Sequence, residues 1–107
     1  MPYLIVSSRA HAGIRRCYLY LWERSPAAAD RAQSVIRQQI NRLKRSPYIG
    51  RPYDPPDPDE AEEGEDLREL VIRFGGKGKY LALYHYAEEE DAIHIVAFKH
   101  GQEARYF

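Results

Sequence analysis

The chain has little cysteine, methionine or tryptophan, with one of each in 107 residues. A lone Cys17 excludes an intrachain disulfide and a cysteine-rich zinc site, which fits a reducing compartment. On a helix among apolar neighbours it reads as a small core residue. No stretch reaches the roughly eighteen uninterrupted apolar residues of a membrane-crossing helix, and the first residues lack the basic, apolar and small-residue succession of a secretory leader. The expected location is the cytoplasm. Also missing are the G-x-x-x-x-G-K-[ST] phosphate loop, G-x-G-x-x-G after a strand, H-E-x-x-H and G-x-S-x-G. His11, His85, His94 and His100 are scattered without ligand spacing, so neither a metal nor another cofactor is expected.

What is present is ordinary for a globular protein: 44% hydrophobic and 30% charged residues, in a length that suits a single domain over residues 1–107. The formal charge of zero hides a segregation. Residues 1–53 carry ten Lys or Arg against only Glu23 and Asp30, residues 54–66 carry eight acids and no base, and the remainder balances. A basic surface of this kind favours polyanions or an acidic protein partner. The acidic run, interleaved with Pro55, Pro56 and Pro58, cannot build a core, so residues 51–66 are expected to form an exposed loop. That loop is either a plain connector or a cover that competes for the basic surface.

Hydrophobic period sets the element order. Tyr3-Leu4-Ile5-Val6 is a short β-branched and aliphatic run, followed by Ser7-Ser8 as a helix cap. Ala10, Ile14, Cys17, Tyr18 and Leu21 then recur at helical spacing. Ser25-Pro26 closes that helix and opens a second, since proline suits the first helical position. Its stripe is Ala29, Ala32, Ile36, Ile40 and Leu43, and Pro47 stops it near Ser46. Leu70, Ile72 and Phe74 alternate with Glu69, Val71 and Arg73 in a strand. The Gly75-Gly76-Lys77-Gly78 turn leads to a strand at 79–86, and a polar turn leads to another at 92–98. The expected class is α+β, β-α-α-β-β-β, with a helical hairpin packed on a mainly antiparallel sheet.

The stretches 67–73, 80–86 and 93–100 together resemble the RelE/ParE superfamily of toxins from type II toxin–antitoxin systems. There an arginine-bearing strand leads to an aromatic strand, here Tyr80 to Tyr84 and Tyr86, and a last strand ends in a short basic tail, here Lys99-His100. Ser46-Pro47-Tyr48-Ile49-Gly50-Arg51-Pro52 is similar to the segment after the second helix in the ParE branch. The resemblance spans nearly the whole chain and rests on the joint order of short motifs.

The resemblance implies a toxin with a cognate, ParD-like antitoxin encoded beside it. Leu19, Tyr20 and Trp22 lie off the core stripe of the first helix, and exposed aromatics near arginines are the composition of binding hot spots. With Arg51, Arg68, Arg73, Lys99 and His100 they are the candidate contacts for antitoxin or target. The ParE branch implies inhibition of DNA gyrase by binding, with no catalytic residues. The RelE branch implies cleavage of messenger RNA on the ribosome, for which Arg73, Lys77, Lys79, His100, Arg105 and Tyr106 are the candidates, as charge-stabilising donors and proton carriers. The strand-end arginine of the RelE pattern falls near Gln102, and its lysine pair falls in the acidic segment, which weighs against nuclease chemistry. A third alternative is a degenerate toxin that keeps only antitoxin binding.

Overall fold

The computed structural model describes residues 1–54, 66–75 and 78–106. Strand β1 (Tyr3–Val6) is followed by helices α1 (Ser8–Trp22) and α2 (Pro26–Arg42), then by β2 (Arg51–Pro52), β3 (Leu67–Phe74), β4 (Gly78–Ala87) and β5 (Ala92–His100). The five strands form one sheet in the order β1-β5-β4-β3-β2. Only β1 and β5 run parallel, and the remaining neighbours are antiparallel. The α+β class, with a helical pair on a mainly antiparallel sheet, is therefore as the period of the sequence implied.

Both helices begin where a serine satisfies an orphan amide. The Ser7 side chain accepts from Ala10 N at 3.0 Å, and Ser25 accepts from Ala28 N at 3.2 Å, with Pro26 next in line. The apolar stripes of α1 and α2 face the sheet, where Ala10, Cys17, Ala32, Ile36, Ile40 and Leu43 meet Leu70, Ile72, Tyr84, Ile93, Ile95 and Phe98. Gly13 sets how closely α1 approaches β5. A Cβ there would come within 2.2 Å of the Phe98 carbonyl oxygen, so only glycine permits this spacing.

The register slips between Leu83 and Tyr84 of β4, where Leu83 faces Ala97 and Tyr84 faces Ile95, leaving Val96 as an extra residue. A single inserted residue reverses the face of everything after it. Ile93 and Ile95 therefore pack under the helices, Val96 and Ala97 turn to the outer face, and Phe98 returns to the helical side.

Two features depart from the expectation. Residues 51–66 do not begin as loop: Arg51 and Pro52 pair antiparallel with Glu69 and Arg68, and Tyr53 N donates to Leu67 O at 2.9 Å. Proline is tolerated because β2 is an edge strand, where a missing amide costs no ladder bond. Residues 55–65 lie outside the described residues, as do Gly76 and Lys77. Second, Lys99 and His100 are the last two residues of β5 rather than a tail. The true tail leaves at Gly101, whose amide donates to Lys79 O at 2.8 Å, and runs from the helical layer to the outer face. Glu103 pairs with Arg16 of α1, and Tyr106 packs with Leu67, Leu81, Leu83 and Ala97 in a second apolar cluster.

Candidate functional site

The first candidate is a cleft of about 360 Å³ at the end of the sheet, where the β3–β4 hairpin meets the end of β5. Arg73 and Lys79 stand opposite each other across β3 and β4, and His100 pairs with Tyr80 across β4 and β5. With Gln102 and the small residues Gly75, Gly78 and Gly101 they line the cleft. His100 is fixed edge-on against the Tyr80 ring, with centroids 5.5 Å apart. Its Nδ1 accepts from the Gln102 amide at 3.1 Å. Neutral His100 is thereby the tautomer that carries its proton on Nε2, a donor rather than an acceptor on the remaining side. The cleft thus offers three donors suited to an anion, and among the described residues no carboxylate lines it.

The second candidate is a clip on the outer face. Glu69 is 6% exposed. Its Oε1 accepts from Arg51 Nε at 2.7 Å, and its Oε2 accepts from the Tyr106 hydroxyl at 2.5 Å. Burial, and next the bond to Glu69, push the Tyr106 phenol far above its ordinary range. Tyr53 meets the Tyr106 ring edge-on at 5.6 Å, and Lys99 Nζ sits 4.6 Å from the same ring while donating to Glu103 O. Three segments remote in sequence are held at one carboxylate.

Around the other end, Gly50 packs under Tyr84, whose hydroxyl accepts from Gly50 N and donates to Pro47 O, each at 2.8 Å. Arg68 donates to Gly50 O at 2.9 Å and lies 3.5 Å from the Asp66 carboxylate, with its guanidinium 5.2 Å from the Tyr48 ring. Tyr48 in turn stacks edge-on with Tyr86. Arg68 is thus tied into the turn after α2.

Leu19, Tyr20 and Trp22 are 44%, 60% and 48% exposed at the end of α1. Arg24 covers the Tyr20 ring at 3.7 Å. An apolar patch beside an arginine is available there to a protein partner.

The sequence-derived candidates consequently separate into groups. Arg73, Lys79 and His100 come together; Arg51 and Tyr106 meet at Glu69, with Lys99 against the Tyr106 ring; Leu19, Tyr20 and Trp22 form the exposed patch; Arg68 stands apart. Arg105 is exposed beside buried Tyr106, and Lys77 lies outside the described residues. His85 and His94 do face each other in the β4–β5 register, with Glu90 3.2 Å from His94. Among the described residues no three His, Cys, Asp or Glu side chains are grouped to hold a metal. The sequence reading missed Glu69, Tyr53 and the Arg16–Glu103 pair. Glu69 carried a signal, an acid between Leu67 and Val71 on one face of a strand.

Comparison with known proteins adds a whole-chain match. Residues 4–105 fit the family profile described as ParE toxin of type II toxin–antitoxin system, parDE. Among curated proteins, the chain is 29% identical over 97 residues to Toxin RelE3 of Caulobacter vibrioides, covering 91% of each chain. It is 28% identical over 102 residues to Toxin RelE1 of the same organism, covering 95% of this chain and 96% of the relative.

Proposed function

This chain belongs to the ParE toxin family of type II toxin–antitoxin systems, and from that premise we propose that it inhibits DNA gyrase by binding and is neutralised by a cognate antitoxin. One observation carries the choice of binding over catalysis. Tyr106, the C-terminal aromatic a nuclease would use for proton transfer, is buried and donates its hydroxyl to Glu69. Glu69 is also four positions along β3 from Arg73, roughly 13 Å at strand rise. The cleft itself is lined by donors, and a 2′-hydroxyl attack needs an acceptor for its proton as well. Membership in type II systems implies the antitoxin, and the Leu19, Tyr20 and Trp22 patch is its docking place in this reading.

A second reading has its own support. The Arg73, Lys79 and His100 cleft suits a strained phosphate, and the curated relatives are named RelE toxins. In that reading the chain cuts messenger RNA on the ribosome. Purified toxin added to gyrase and, separately, to ribosomes programmed with messenger separates the two. Blocked supercoiling with intact messenger is the expected result. Cleavage that disappears in Arg73→Ala, with supercoiling unimpaired at excess toxin, overturns the gyrase reading. Silence in both assays, with antitoxin still copurifying, selects the degenerate toxin.

A further inference from the structure

Helix α2 and the segment after it carry a one-sided charge of which the described sites use only Arg51. From Arg31 to Tyr53 there are six Lys or Arg and no acid. Arg31, Arg37, Arg42 and Arg45 are exposed, and no carboxylate among the described residues pairs with them. The one acid of α2, Asp30, is engaged by the Tyr18 hydroxyl of α1 at 3.0 Å. Cations in the last turn of a helix are explained by its dipole, which accounts for Arg42 and its neighbours. Arg31 and Arg37 lie in the body of the helix, beyond the reach of that effect.

We propose that the solvent face of α2 docks on the sugar–phosphate backbone of duplex DNA. The composition of the face decides among polyanions. Gln38 and Asn41 stand exposed between the arginines, and amide side chains with Arg are the usual partners of phosphate oxygens. Residues 27–47 contain no Phe, Tyr or Trp, and the ring of Tyr48, which follows, packs with Tyr86 and Arg68, so the helix itself has no stacking platform of the kind that holds single strands. The large apolar side chains of α2 turn inward, so the helix itself offers a protein partner none of the anchors that concentrate binding energy. From Arg31 to Arg45 the cations span roughly 21 Å at helical rise, long enough to follow several phosphates. The choice of DNA over an RNA duplex rests on the proposed function, whose target works on DNA.

The test is anisotropy of a short labelled DNA duplex of arbitrary sequence, titrated with the full chain between about 50 and 200 mM salt, without gyrase. Binding should weaken linearly on logarithmic axes as salt rises, and Arg31→Gln with Arg37→Gln should flatten the slope by about 1.8, near 0.9 for each phosphate that is no longer neutralised. Glutamine matches arginine in helix propensity, and far-UV circular dichroism checks the fold. Should that variant unfold, Arg42→Gln with Arg45→Gln is read the same way. An unchanged slope, a larger loss in Arg73→Gln with Lys79→Gln, or binding to an RNA duplex as tight as to DNA overturns the proposal. Gyrase inhibition without any duplex binding overturns this inference alone; duplex binding with gyrase unaffected overturns the target reading alone.

Discussion

Glu69 shows how a single residue ties the outer face together. Burying a carboxylate costs several kcal/mol unless it is paired and hydrogen-bonded, and here Arg51 and Tyr106 supply the donors. Tyr106→Phe removes one donor and leaves the buried oxygen short of a partner, so the chain should lose about 1–3 kcal/mol of stability in urea unfolding. The same residue makes a pH prediction. The folded chain holds the Tyr106 proton above its ordinary range because the phenol is buried and bonded to Glu69, whereas the unfolded chain releases it near pH 10. Stability from this group is complete below about pH 10 and declines as pH rises beyond. Tyr80 and Tyr84 are pushed upward by burial as well, and the Cys17 thiol up to about 11. The alkaline decline should therefore become shallower in Tyr106→Phe without vanishing, which unfolding midpoints measured across that range would show. Little of this clip was legible in the sequence. Alternation placed Glu69 opposite Leu70 and Ile72, but nothing local reveals that a residue 37 positions away returns to bond it.

Among the elements, local signals told most where they were physical constraints on the backbone. Ser7, Ser25, Pro26 and the two apolar stripes located the helices because caps and helical period act within a few residues. The sheet order and the Val96 bulge were not legible, since both depend on pairing between distant segments. The bulge left a trace all the same: Ile93 and Ile95 are spaced by two, and Phe98 follows by three. Gly13 is a further case of a residue chosen by a neighbour. Alanine is worth up to about 1 kcal/mol more than glycine in a free helix, yet its Cβ would strike the Phe98 carbonyl. Gly13→Ala should accordingly lower the thermal midpoint, with a net cost of about 1–3 kcal/mol as expected for overpacking. The end of α1 makes a different prediction. If Trp22 anchors the antitoxin, Trp22→Ala should weaken the complex by about 2 kcal/mol in calorimetric titration while leaving the unfolding midpoint of the free toxin nearly unchanged, because the side chain is 48% exposed.

Across the whole molecule, the candidate sites lie on separate surfaces. The helical layer presents cations and the Leu19, Tyr20 and Trp22 patch, the end of the sheet presents the Arg73, Lys79 and His100 cleft, and the outer face is closed by Tyr53 and Tyr106. The resemblance read from short motifs and the family match over residues 4–105 agree on a toxin of a type II system. The proposed reading of binding over cleavage rests on the placement of Tyr106, which no spacing in the sequence reveals. The decisive measurement is the supercoiling of relaxed plasmid by a fixed amount of purified gyrase, titrated with this chain. Activity should fall in proportion to the toxin added and reach its floor once every gyrase is occupied, while full supercoiling at a large excess of folded toxin would contradict gyrase as the target.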